Sequence, residues 1–126
     1  MNNHPERPEE LSGATYKIKT PLSEHAIYIT INDIVIDDKQ VPFEIFINSK
    51  NMEQYAWIAS MTRLMSAVFR NCQDASFVIE EMKSIFDPKG GYWQKGTYMQ
   101  SIQAEIGHVI EKHFKRIGLI HNGKTI

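Results

Sequence analysis

The side chains that carry most enzyme chemistry are sparse in this chain. There is one cysteine, Cys72, and there are five histidines, His4, His25, His108, His113 and His121. A lone thiol has no second cysteine for a CxxC metal or redox pair, and no base stands beside Cys72 in the sequence to activate it. His108 and His113 are five residues apart. Helical neighbours on one face are spaced by three or four, so this spacing does not make a ligand pair. Adjacent carboxylates occur at Asp37-Asp38, which reads as a turn, and at Glu80-Glu81, which reads as a solvated helix face. Glu44 differs because it lies inside an otherwise apolar strand. On a strand buried on both faces it needs a partner such as Arg63 or Arg70, whereas an edge strand leaves it in water. Gly90-Gly91 lacks the Gly-Lys-Ser/Thr continuation of a phosphate loop and is followed by Tyr92-Trp93. It therefore reads as a helix end followed by a turn. Tyr92, Trp93 and Tyr98 beside Lys89 and Lys95 form the one aromatic-basic loop. Such a loop suits core cover, a protein interface or stacking on a nucleotide.

The elements that position these residues follow from hydrophobic period. Residues 1–13 are rich in Pro, Glu and Asn and read as a flexible or loosely docked arm. Thr15–Lys19 alternates large and polar side chains as a short half-buried strand does. Ile27, Ile29 and Ile31 mark one face of a second strand, with Tyr28, Thr30 and Asn32 on the other. The polar turn Asp37-Asp38-Lys39-Gln40 leads to Pro42–Asn48, in which Phe43, Ile45 and Ile47 alternate with Glu44 and Phe46. This predicts an antiparallel hairpin and, with the first strand, a three-stranded meander.

After Asn48 the period lengthens to that of a helix. Asn51 with Gln54 fits a capping box, and Met52, Tyr55, Ala56, Ala59, Thr62, Leu64, Met65, Val68 and Phe69 trace an apolar stripe. Asp74 is placed to cap a second helix that runs to Phe86, with Phe77, Val78, Met82 and Ile85 inward. Asp87-Pro88-Lys89-Gly90-Gly91 stops it, and Tyr92–Tyr98 reads as a loop. A third helix carries Met99, Ile102, Ile106, Val109, Ile110, His113, Phe114 and Ile117 at spacings of three and four. Residues 118–126 form a short, frayed tail. The predicted architecture is α+β: one domain over residues 14–117, with three helices on one face of the meander. No helix separates the strands, which disfavours a parallel βαβ arrangement.

Composition narrows the function classes. The chain of 126 residues is 42% apolar and 23% charged, with 14 basic and 15 acidic residues. That suits a single globular domain and disfavours a general nucleic-acid binder, which gathers a basic excess on one face. The N-terminus lacks the order of a signal peptide, and no apolar run approaches membrane-spanning length. With one cysteine, the expectation is a cytoplasmic protein without membrane association.

Taken together, several segments resemble the TSCPD domain family, the C-terminal portion of adenosylcobalamin-dependent (class II) ribonucleotide reductases and their small stand-alone relatives. The similar stretches are Ile27–Asn32, Pro42–Ile47, Met61–Arg70, Val78–Ile85, Ser101-Ile102 and Ile106–Glu111, in the family's order across residues 14–115. The Thr-Ser-Cys-Pro-Asp segment that names the family is absent, and Asn71-Cys72-Gln73-Asp74 stands where members often carry glycines. The resemblance implies association with ribonucleotide reduction. Radical chemistry needs cysteines and a cofactor cavity, so no self-contained active site and no metal site are expected here. The expected role is an accessory or regulatory domain docking on a larger reductase chain, where any adenosylcobalamin would sit, with Glu44, Arg63, Arg70, Lys89, Tyr92 and Trp93 as candidate binding residues. A small-molecule or nucleotide-binding module with loop 89–98 as lid is the alternative, and a homodimer is left open as a further partner.

Overall fold

The computed structural model describes residues 6–21, 23–50, 52–121 and 124–125, with backbone only at Met52, His121, Lys124 and Thr125. Three strands form an antiparallel meander in the order β1-β2-β3: β1 Ser12–Ile18, β2 Ile27–Ile36 and β3 Lys39–Ser49. β1 starts inside the stretch expected to be an arm, because Ser12 and Gly13 pair with Asp33 and Asn32. Strand alternation sends Ile18, Ile27, Ile29, Ile31 and Ile45 inward, where they are nearly or wholly buried. Thr15, Lys17, Tyr28, Phe46 and Asn48 lie on the exposed outer face. A fully buried Ile contributes about 1.5–3 kcal/mol, so this face alone justifies the sheet.

The β2–β3 turn places Asp37 and Asp38 at φ of 52° and 66°. Positive φ at two successive residues suits the twist of a two-residue hairpin, and Asp tolerates it better than most side chains. Register slips once: Asn32 opposes Glu44 while Asp33 opposes Pro42, leaving Phe43 as the extra residue of a β-bulge. Simple alternation does not survive the bulge, and Pro42, Phe43, Glu44 and Ile45 are all buried.

A 3-10 turn at Met52–Gln54 opens α1, Tyr55–Asn71. The expected cap, Asn51, lies outside the described residues, and Gln54 at the helix start makes no side-chain cap. α1 buries Thr62, Met65, Ser66 and Phe69, while Leu64 and Tyr55 of the expected stripe are exposed. α2 is shorter than expected, Phe77–Lys83. Asp74 holds the turn before it, accepting from the Ser76 amide at 3.0 Å and the Ser76 hydroxyl at 2.7 Å. Its inward residues are Val78, Ile79 and Met82, with Phe77 and Ile85 exposed.

The aromatic loop is in fact a hairpin of β4, Tyr92–Gln94, and β5, Thr97–Met99. Lys95 and Gly96 turn it at φ of 50° and 82°, the left-handed pair that a two-residue hairpin requires. Ser101 then caps α3, Ile102–Arg116, by accepting from the Ala104 amide at 2.9 Å. α3 lies over the sheet with α2 against it, and α1 packs on β3. One core cluster joins the inner sheet face to all three helices. Gly107 permits the α2–α3 approach: a Cβ there would stand 2.9 Å from Met82 Cβ and 3.0 Å from Lys83 N. The expected tail returns as a short pair, β6 Ile120–His121 and β7 Lys124–Thr125, with Ile120 in the core.

Candidate functional site

Three polar constellations and one exposed apolar pair stand out. Asp33 continues the inward phase of Ile27, Ile29 and Ile31, and His113 sits on the inward face of α3, so each places a polar group in the core. They meet there. His113 Nε2 lies 2.9 and 3.0 Å from the two oxygens of Asp33, and the Tyr16 hydroxyl lies 2.7 Å from Nδ1. A carboxylate only accepts, so Nε2 carries a proton and donates it. Asp–His–Tyr is the ordering of an acid–base relay, yet His113 is 1% exposed and both of its nitrogens are engaged. The network ties β1, β2 and α3 together and presents no proton to a substrate.

Glu44 is 4% exposed and lies on the outer face beside Asn32. Its partner is neither Arg63 nor Arg70. Arg7, from the segment before β1, donates Nε to Oε1 and Nη2 to Oε2, each at 2.9 Å, and Asn32 Nδ2 donates to Oε2 at 2.7 Å. The bidentate Arg7 fork holds the Glu44 carboxyl below its ordinary range, against the opposing effect of burial. Gly13, opposite Asn32, carries no side chain that would collide with it. Arg70 stacks over the Phe43 ring at 5.7 Å and adds a favourable charge near Glu44.

The third constellation lines an open groove of about 560 Å³ between β1, the β4–β5 hairpin and α3. Lys17, Lys19, Lys95, Lys112 and His108 border it, and Glu105 is its one acid. Glu105 accepts from the Tyr92 hydroxyl at 2.7 Å and from Gln94 Nε2 at 3.2 Å. Burial, reinforced by this carboxylate, raises the Tyr92 pKa well above the ordinary phenol range. Burial also lowers the pKa of His108, helped by the charge of Lys83. The hairpin separates its aromatics: Tyr92 faces inward, while Trp93 and Tyr98 meet edge-to-face on the exposed side with centroids 5.4 Å apart. Neither of those two borders the groove.

Finally, Trp57 and Leu64 lie two turns apart on the outer side of α1, while Met61 and Val68 beside them are half-buried against the core. Trp57 is 77% and Leu64 69% exposed, and Arg63 is exposed as well. The candidate residues are thus dispersed. Arg70 of α1 comes near Glu44 at the β3 bulge, Arg63 is exposed on α1, Lys89 is in the exposed turn before the hairpin, Tyr92 is buried and Trp93 is exposed. The residues that sequence reasoning passed over are Arg7, the pairing of Asp33 and Tyr16 with His113, the groove lysines Lys17, Lys19 and Lys112, and Trp57. A signal existed for the second of these: Asp33 and His113 both fall on core-facing positions, and polar groups so placed must pair. Among the described residues no group of three or more His, Cys, Asp or Glu is placed to hold a metal ion. No described helix is long and apolar enough to cross a membrane.

A family model for the TSCPD domain matches residues 2–114. The chain belongs to the TSCPD family. This match covers nearly the whole fold, from the arm that carries Arg7 to the Phe114 anchor of α3. TSCPD domains are known from ribonucleotide reductase contexts. No curated protein and no solved structure matches this TSCPD chain.

Proposed function

We propose that this TSCPD domain is an accessory or regulatory element of ribonucleotide reduction that acts by docking on a larger catalytic chain. The observation that carries the reading is the exposed apolar pair of α1, Trp57 and Leu64. A solvated helix needs one apolar face, yet this one has the buried Met65–Phe69 face and, outside it, Trp57 and Leu64. An exposed Trp of this kind is the residue type enriched at interface anchors. Family membership favours a reductase catalytic chain as the occupant, which would hold any adenosylcobalamin itself. The Asp33–His113–Tyr16 and Arg7–Glu44–Asn32 sets are engaged in holding the fold, which agrees with a role through contact.

The test is co-purification of the tagged full chain from its native host, scored for the reductase catalytic chain. The expected result is enrichment that falls at least tenfold with Trp57→Asp or Leu64→Asp, while the circular dichroism spectrum is retained. Absence of the reductase from the wild-type eluate would sink the reading. A thermal-shift series with ribonucleotides, deoxynucleotides and cobalamin runs beside it. A specific rise in Tm for one of them would favour the small-molecule function instead.

A further inference from the structure

The two edges of the meander are treated differently. β3 pairs only with β2, and on its far side the Ser66 hydroxyl accepts from the Ile45 amide at 3.0 Å and donates to the Ile45 carbonyl at 3.2 Å. One side chain from α1 thus replaces the two bonds that a neighbouring strand would make. β1 pairs only with β2 as well, and among the described residues no strand lies on its other side. That side opens into the groove. Five consecutive residues, Thr15 to Lys19, line it. Successive strand residues point to opposite faces, so an unbroken run can border one groove only along the strand's edge.

From these observations we infer that the groove binds an extended acidic segment of a partner protein, which adds to the edge of β1 as a fourth strand. The inference rests on the docking reading and supplies a second contact, at the opposite edge of the sheet from α1. An exposed strand edge presents alternating N–H and C=O groups, and their natural complement is another backbone. A small polyanion would be repelled by the carbonyls in that row. The facing wall is α3, through Glu105, His108, Val109 and Lys112, which gives the strand–groove–helix arrangement that peptide capture uses. One end is closed where Gln94 Nε2 donates to the Lys19 carbonyl at 2.9 Å. Within β1, Thr15 to Ile18 spans roughly 13 Å of strand, enough to pair with about four residues.

Charge selects the occupant. Lys17, Lys19, Lys95 and Lys112 border the groove, and its one acid, Glu105, is already engaged by Tyr92 and Gln94. Lys112 Nζ is held 5.7 Å from the Tyr16 ring centroid, at the middle of the β1 wall. On a chain whose net charge is −1, this is a local positive field that attracts carboxylates. β-Branched residues alternating with Asp or Glu would fill both requirements.

The experiment pans a phage-displayed random heptapeptide library on the full chain and measures the enriched peptides by fluorescence anisotropy and hydrogen exchange. The expected result is enrichment of peptides with acids at alternate positions, and protection of β1 amides when they bind. N-methylation of the peptide backbone, or the Lys17→Glu/Lys95→Glu variant, should weaken binding at least tenfold with the Tm unchanged. Lys112→Glu adds a third charge reversal where that variant folds. Four outcomes overturn the inference: no acidic consensus; protection confined to α1; affinity indifferent to charge reversal; or inorganic tripolyphosphate binding the groove that the peptides do not. Retention of reductase capture by the groove variants, with loss by Trp57→Asp, would leave docking standing and remove only the groove from it.

Discussion

A buried imidazole is costly unless both of its nitrogens are occupied. His113 meets that demand with Asp33 on one side and Tyr16 on the other. Tyr16→Phe keeps the ring packing, edge-on at 5.7 Å, but orphans Nδ1. It should cost about 1–3 kcal/mol in urea denaturation. A neutral result would show that water replaces the phenol. Glu44 makes a second residue-level prediction. Its folded pKa lies below the ordinary glutamate value, so between the two the unfolded chain binds more protons. Stability is therefore present above that ordinary value and is lost as pH falls through the lower, folded one. Glu44→Gln should flatten the acid limb of the Tm–pH profile below about pH 4.5; an unchanged limb would mean that Arg7 does not hold the carboxylate in solution. These networks were partly legible. Asp33 and His113 announce themselves by falling on apolar phases, but that Arg7 reaches Glu44, 37 residues away, follows from no periodicity.

At the scale of elements, the helices were read more securely than their ends or faces. Two features set the end of α2 short of Phe86: the Ser84 hydroxyl turns back to the Glu80 carbonyl at 2.7 Å, and the Ile85 carbonyl accepts from Ser101 at 2.6 Å. The latter is a long-range bond that no local pattern foretells. The aromatic stretch was read as a loop because Lys-Gly is not a strong hairpin signal, and only Lys95 adopting φ of 50° completes the turn. Lys95→Asn suits that conformation better and should raise the urea midpoint modestly. Gly107 tests helix packing. Gly107→Ala drives a methyl against Met82 and Lys83 N and should cost about 1–3 kcal/mol despite the better helix propensity of alanine. A stabilised Gly107→Ala would show that α2 yields easily.

For the whole molecule, the sheet has one buried and one bare face, and its two edges end differently, with Ser66 sealing β3. Ser66→Ala leaves the Ile45 amide and carbonyl unpaired against α1. It should destabilise by about 1–3 kcal/mol in denaturant titration, and loss of that seal should also raise the tendency to self-associate, read by light scattering. A monomeric Ser66→Ala protein of wild-type stability would contradict the role given to this hydroxyl. Phe114, fully buried and tilted against Phe69 with centroids 5.9 Å apart, anchors α3 to α1. Phe114→Ala should cost about 3–5 kcal/mol by the same measurement.

The amino-acid order alone determined the class of fold. Period two up to Asn48 and period 3.6 after it force strands first and helices second, and a chain with one apolar sheet face must lay those helices on that face. Tertiary structure decided what lies between elements: the bulge that buries Glu44, the partner that neutralises it, Trp57 and Leu64 of α1 left facing water, and the basic groove at the edge of β1. Period is a local property of the backbone, whereas partners and edges depend on which distant surfaces packing brings together.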